Sequence, residues 1–293
     1  MTSVVTSNAG FERGGLGNQL FKIAAIIDYA IKYNKIPIIC NLKKNYYNDN
    51  EGMFLLNNFF TEFTKNKLNT VTIEQLSSIN FTKFAQKHSR IYEDFPNVEG
   101  NVYINGYLES YKFISDNTRN IMNELITSNN NYVQIAKSLF NIIKEHFNDY
   151  DDDNYIFLHI RRGDIHDNNK TYIDYNYTKK AYHKIKDLKK KDNMNVIVFS
   201  DNINWCYDNI NFLPNTYYLD NISNVYIELI LMSMINNGIL ISIKYIEQDN
   251  SYHRSTLSWW GAFLGNKNKI ITIPDKIGED IQEYYLPEWI LVE

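Results

Sequence analysis

The stretch Tyr155–His166, YIFLHIRRGDIH, constrains the fold more than any other part of the chain. Its apolar run, Tyr155, Ile156, Phe157, Leu158 and Ile160, reads as a buried strand. Arg161, Arg162 and Asp164 follow at once and cannot share that burial unless something pairs with them. A strand of this kind must deliver its charges at one end of a sheet. On chemistry alone the arginines could form structural salt bridges, or they could hold an anion, since a guanidinium binds phosphate oxygens as a two-pronged fork and keeps its charge.

Size and composition limit the answer. With 293 residues the chain exceeds one ordinary hydrophobic core, and its 44% hydrophobic and 15% aromatic residues can fill two. Thirty basic residues stand against thirty-four acidic ones, for a net charge of -4, so no general field draws the chain to nucleic acid or an anionic membrane. Cys40 and Cys206 are the only cysteines, each beside an apolar or aromatic segment, which suits buried thiols and a reducing compartment. The first fifteen residues lack a basic then apolar leader, and no run reaches the roughly 18 apolar residues of a membrane span. A soluble, cytoplasmic protein with no transmembrane segment is the expectation. Oligomeric state leaves no trace in the sequence.

Apolar periodicity alternates along the chain. Leu20, Ile23, Ala24, Ile27 and Ile31 recur at helical spacing just after a glycine-rich turn. The strands KIPIIC and NVYINGYLES follow, and Val133, Ala136, Phe140, Ile143 and Phe147 line one face of a further helix. NDYDDDN breaks the pattern and predicts a domain boundary near 150, dividing the chain into 1–150 and 151–293. Beyond it come the Tyr155 strand, a helix over 177–190, the strand NVIVFS, a helix from Asn204, the helix NVYIELILMSMIN, the strand GILISI and the stretch STLSWWGAFLG. Strands alternating with helices predict parallel sheets, whose ligands gather beyond the carboxyl ends of the strands.

That rule sorts the motifs. HIRRGD and Ser200-Asp201-Asn202 both sit at carboxyl ends, whereas Asp151–Asp153 precedes its strand, the wrong end for a metal-binding pair, and reads as a solvated linker. Asp201 is either the cap of the next helix or a carboxylate able to accept from a guanine N1–H and amino group. In ERGGLGNQLF the glycine turn enters a helix whose backbone N–H groups suit an anion or a sugar hydroxyl, or it simply packs tightly; the Gly-Lys-Ser/Thr ending of a P-loop is missing. Among Ser255, Thr256 and Ser258, one can cap the apolar helix while the others donate to phosphate, and Trp259 and Trp260 read as core.

In order along the chain, GGLGNQLF, INGYLESYKFI, HIRRGD, VFSDNINWC, ELILMS and STLSWWGAFL together resemble the α-1,2-fucosyltransferase family, from Gly14 to about Pro274. The resemblance implies a GT-B architecture, two Rossmann-like α/β domains facing across a cleft, with the acceptor largely on the first and the nucleotide sugar largely on the second. It implies a metal-independent, inverting glycosyltransferase that takes GDP-L-fucose as donor and a galactose-type glycan hydroxyl as acceptor, with no other cofactor. Arg161 is then the residue that neutralises the diphosphate as the leaving GDP gains charge. His159, Arg162, Ser200, Asp201, Ser255, Thr256, Ser258, Asn18 and Gln19 fall on nucleotide-sugar positions. His159 would orient the turn, touch the nucleotide or simply pack, and Arg162 would share the phosphate or hold Asp164. Candidate bases are Asp164, His166, Asp167 and Glu109, the last three on the acceptor side, and the sequence does not choose among them.

Three departures from the family pattern stand out. IKYIEQDNSYHR, within 243–254, intervenes where the family runs almost directly from strand to an Asn-Ser-Ser/Thr segment, and Arg254 replaces that Asn. Glu109 stands where Gln is common, and Asn202 where the second Asp is. The insertion admits a rival donor, another activated deoxyhexose, and a cleft without turnover would make the chain a carbohydrate-binding descendant.

Overall fold

The computed structural model describes residues 3–9, 15–40, 69–88, 90–162, 174–220, 222, 224–246, 251–275 and 281–293. They divide into two units, residues 1–130 with 280–286, and residues 131–279 with 287–293.

The first unit is built on a parallel sheet. Its elements are β1 (Val4–Ser7), α1 (Leu16–Tyr33), β2 (Ile36–Cys40), β3 (Asn69–Val71), α2 (Ile73–Ser77), β4 (Phe81–Ala85), β5 (Asn101–Asn105) and α3 (Asp116–Thr127). Strand order is β3-β2-β1-β5-β4, with every pairing parallel. α1 buries Leu20, Ile23, Ala24 and Ile27 of the face its spacing predicts, leaves Ile31 exposed, and stops where Asn34 turns left-handed and its N–H reaches the Ala30 carbonyl. Asp28 on α1 accepts from the Ser115 N–H at 2.8 Å and the Thr118 hydroxyl at 2.7 Å. One carboxylate thus fastens α1 to the amino end of α3, where negative charge is favoured.

The second unit holds α4 (Asn130–Phe147), β6 (Tyr155–Ile160), α5 (Tyr175–Lys189), β7 (Asn195–Ser200), α6 (Ile203–Asn209), β8 (Thr216–Tyr218), α7 (Val225–Met234), β9 (Asn237–Ile239), β10 (Ser242–Ile246), β11 (Ser251–Arg254), α8 (Thr256–Phe263), β12 (Ile270–Pro274) and β13 (Ile290–Val292). Its sheet runs β13-β12-β9-β6-β7-β8, again wholly parallel. Counting only the strands of that sheet, this is the doubly wound order 3-2-1-4-5-6 read from the other edge, and the order reverses between β6 and β9. A short helix, α9 (Ile281–Tyr284), belongs to the first unit, where Glu283 pairs with Lys112 at 2.7 Å.

All six residues of β6 are buried, as a two-faced parallel strand requires. Phe157 faces Gly238 of β9 in register, and a Cβ on that glycine would lie 2.4 Å from the Phe157 ring. Glycine is therefore the residue that lets the aromatic ring cross the backbone of its neighbour.

The structure refines several sequence expectations. The units divide after Asn130, ahead of the sequence boundary at 150, because α4 packs Phe140 and Phe147 against Tyr155 of β6. Asp151, Asp152 and Asp153 do precede β6, but each is ion-paired, with Lys191, Lys144 and Lys189 respectively. They stand half-exposed at the amino end of the sheet, solvated as expected and paired with lysines. The inserted segment is an antiparallel pair, β10 with β11, in which Tyr245 opposes Tyr252 and Lys244 opposes His253. Trp259 and Trp260 are fully buried, and Cys206 is a buried free thiol. The side chain of Cys40 lies outside the described residues. No described helix is long and apolar enough to cross a membrane.

Gly238→Ala should lower unfolding stability by about 1–3 kcal/mol through overpacking against Phe157, and Phe157→Leu in the same chain should recover part of the loss. Urea denaturation of the two variants checks this; an unchanged midpoint for Gly238→Ala would contradict the packing.

Candidate active site at the strand ends

β6 carries His159 on its last turn of pleat and releases Arg161 and Arg162 beyond Ile160, at the reversal of strand order. His159 is buried, and its Nδ1 lies 2.6 Å from Ser258 Oγ and 3.1 Å from Ser255 Oγ. Burial pushes its pKa down to about 4; Asp201 pulls upward and Arg161 reinforces the depression. The imidazole is therefore neutral at pH 7. Ser255 is also the cap of α8, accepting from the Ser258 N–H at 3.2 Å. One hydroxyl thus serves both the helix and the histidine, so α8 starts at a place dictated by β6. Thr256 is buried in the first turn of the same helix.

The second cluster joins the ends of β6 and β7. The Arg162 N–H donates to Asp201 Oδ1 at 2.7 Å. Asn202, rather than Asp201, caps α6, with its side chain accepting from the Trp205 N–H at 3.1 Å, and Ser200 Oγ accepts from the Asn202 N–H at 3.0 Å. The capping role once open to Asp201 is thus filled by its neighbour. The Arg162 guanidinium lies over the Trp205 ring, 4.1 Å from its centroid. Among the described residues its buried Nε and Nη1 have no hydrogen-bond partner. A guanidinium held by its face, with donors unspent, is an anion receptor in waiting.

Glu228 on α7 adds a carboxyl that motif reading did not single out. Burial, together with the charge of Asp201, raises its pKa to about 7. The signal in the sequence was an acidic residue inside the otherwise apolar VYIELILMS.

In the first unit, α1 begins at Gly15, which offers no side-chain cap, with the N–H groups of Asn18 and Gln19 turned to the Gly15 carbonyl at 3.1 and 3.2 Å. Gln19 is buried and Asn18 is half-buried. Glu109 follows β5, buried, with Oε2 3.6 Å from Arg90 Nε. Beside it Leu108 holds a left-handed φ of 58°, its N–H donating to Gln86 Oε1 at 2.9 Å, and the fully buried Lys22 of α1 sits 5.3 Å from the Tyr107 ring centre. These residues occupy the carboxyl edge of their sheet. Asp164, His166 and Asp167 lie outside the described residues.

The sequence profile of glycosyl transferase family 11 matches residues 16–293. WbnK of Escherichia coli, an O-antigen biosynthesis glycosyltransferase, is 27% identical over 314 aligned residues, spanning 94% of this chain and 97% of WbnK. Among solved structures, the fucosyltransferase NodZ from Bradyrhizobium superposes with a TM-score of 0.51 at 12% identity, covering 90% of this chain and 92% of NodZ. The NodZ α-1,6-fucosyltransferase soaked with GDP-fucose gives 0.50 at the same identity and coverage. Such likeness speaks for the fold, and with the two parallel sheets it puts the chain in the GT-B class of α/β structures. A match running from the start of α1 to the last residue makes the chain a member of glycosyl transferase family 11.

Proposed function

We propose that this protein transfers L-fucose from GDP-fucose to a galactose-type hydroxyl of a glycan, with inversion and a 1,2 linkage. The observation that carries the donor half is the Arg162 guanidinium, stacked on Trp205 with Nε and Nη1 unpaired among the described residues, beside Arg161 at the reversal of strand order. Two fixed positive charges at that place suit a diphosphate, whose charge grows as the glycosidic bond breaks. Family membership and the NodZ crystal soaked with GDP-fucose support fucose as the sugar. The 1,2 linkage rests on the six ordered motifs, since NodZ itself is an α-1,6 enzyme. WbnK, which acts in O-antigen biosynthesis, supports a saccharide acceptor.

In this reading the acceptor hydroxyl attacks the anomeric carbon from the face opposite GDP, and the C–O bond to the β-phosphate breaks. Arg161 stabilises the departing phosphate oxygen, and Arg162 binds the diphosphate. Neutral His159 holds Ser255 and Ser258, whose segment faces the phosphates, and Asp201 with Ser200 receives the guanine. Asn18 and Gln19 are assigned to the nucleotide sugar, and Glu109 serves the acceptor. Asp164, His166, Asp167 and Glu109 are the candidates to take the acceptor proton. No metal enters the scheme, because the arginines supply the positive charge a metal would otherwise bring.

A second reading keeps the fold and changes the sugar. The β10–β11 hairpin and Arg254 stand directly before Ser255, so a different activated deoxyhexose is the alternative donor.

Arg161→Ala should reduce transfer by about 10²–10³-fold, the scale of losing one charge-stabilising group, while leaving the circular dichroism spectrum unchanged. Retained activity would remove Arg161 from the chemistry. Calorimetry with GDP, UDP, dTDP and ADP, each with EDTA and then with Mn²⁺, should show GDP bound best and without metal; another nucleotide preferred would move the donor to the second reading. The electrostatics give a pH test as well. A Glu228 carboxyl raised to about 7 holds its proton more tightly folded than unfolded, so the stability it contributes is complete below about pH 4.5 and is lost as pH rises through 7. His159, lowered to about 4, works in the opposite sense, its contribution present above about pH 6.5 and lost as pH falls to 4. Glu228→Gln should therefore gain on the wild type between pH 5 and pH 8 in urea midpoint, and a difference that stays constant with pH would contradict the assignment.

A further inference from the structure

Trp205 lies outside every role assigned above, yet it is the residue on which Arg162 rests. It sits in the first turn of α6, its N–H bound to Asn202 Oδ1 and its carbonyl accepting from Asn209 Nδ2 at 2.8 Å. Its ring packs on the apolar core of the second unit with the partly buried Ile203 and Phe212 beside the same cluster. The indole is thus anchored from below and from its own helix, and its upper face carries the Arg162 guanidinium at 4.1 Å.

An arginine can be oriented in two ways. A carboxylate partner would fix it by its edges and consume the donors that a ligand needs; an aromatic face fixes the plane and consumes none. Here each edge keeps one buried donor without a partner among the described residues. Nε belongs to the side edge of the fork and Nη1 to its end edge, and among the described residues neither has a partner. The carboxylate that is close, Asp201, takes the backbone N–H of Arg162 instead of its guanidinium. A plane held flat, with one donor open on each edge, suits two neighbouring phosphoryl groups.

We propose that Trp205 is a positioning residue for donor binding, holding Arg162 by its face so that both edges of the guanidinium serve the diphosphate of a nucleotide sugar. This rests on the donor reading of the site and adds to it the residue through which Arg162 acts. The indole touches neither sugar nor phosphate. Its effect must therefore pass entirely through Arg162, which makes it separable from a packing role.

The test is a double-mutant cycle on nucleoside diphosphate affinity, measured by calorimetry on the full chain. Trp205→Leu keeps an apolar side chain on the core and removes the π face; it should weaken GDP binding roughly 3- to 30-fold, the range of a cation–π contact at a partly desolvated site. Trp205→Phe should restore most of that affinity. In an Arg162→Ala background, Trp205→Leu should cost nothing further. In turnover, Trp205→Leu should raise the donor KM and leave the acceptor KM unchanged. Equal losses in the two backgrounds, or a Leu variant that binds as the wild type does, would overturn the proposal. Wild-type protein that binds UDP or dTDP but not GDP would remove the guanosine assignment while leaving Trp205 to be decided by the same cycle with that nucleotide. Failure to bind any nucleoside diphosphate would overturn both.

Discussion

A parallel strand with six buried residues leaves charge nowhere to go but its ends. In β6 that condition is complete, because β7 and β9 pair with it on either side and helices cover the faces. The amino end collects Asp149, Asp151, Asp152 and Asp153, which are satisfied by asparagines and lysines. At the carboxyl end, after Arg161, stands Arg162, whose buried Nε and Nη1 have no hydrogen-bond partner among the described residues. The asymmetry separates a structural end of the sheet from a chemical one, and it places the unspent positive charge at the reversal of strand order where doubly wound sheets hold ligands.

The surroundings of that end are organised by groups that each meet two demands. Ser255 caps α8 and faces His159; Asp201 takes the Arg162 N–H and, with its charge, adds to the burial that raises the pKa of Glu228. Shared partners of this kind couple the loops after β6 and β7 to the helices α7 and α8. His159 illustrates the energetics. Inside an all-buried strand an imidazolium would be costly, and burial keeps the ring neutral, where it serves as a fixed hydrogen-bonding post for two hydroxyls.

In the second unit the chain departs from the family pattern at Asn202, which caps α6, and at the inserted segment before Ser255. The segment that replaces a direct run from strand to serine folds as its own two-stranded pair, leaving β9 and α8 in their places. An antiparallel hairpin closes its backbone hydrogen bonds internally, so it can be inserted without disturbing the parallel sheet. In the first unit, Glu109 brings a carboxylate into a buried setting and is met by Arg90, with Lys22 beneath Tyr107 close by in the same unit.

Much of this was legible in the sequence because it follows from local pattern. The apolar run of β6 and its terminal arginines, the helical spacing of α1 and α4, the strands β2, β5 and β7, and the buried tryptophans of α8 are each dictated by side-chain periodicity and the cost of burying charge. Short strands such as β1, β8 and β13 escaped notice because three or four residues carry no period, and their existence depends on neighbours far away in sequence. The strand order, the hairpin formed by the insertion, the cap at Asn202 instead of Asp201, and the partners of Arg162 were decided by tertiary structure alone. Sequence determines which groups must avoid burial; only the fold determines which of them meet, because β6, α6, α7 and α8 bring together residues that hydrogen bonding and desolvation can couple only when distant chain segments pack side by side.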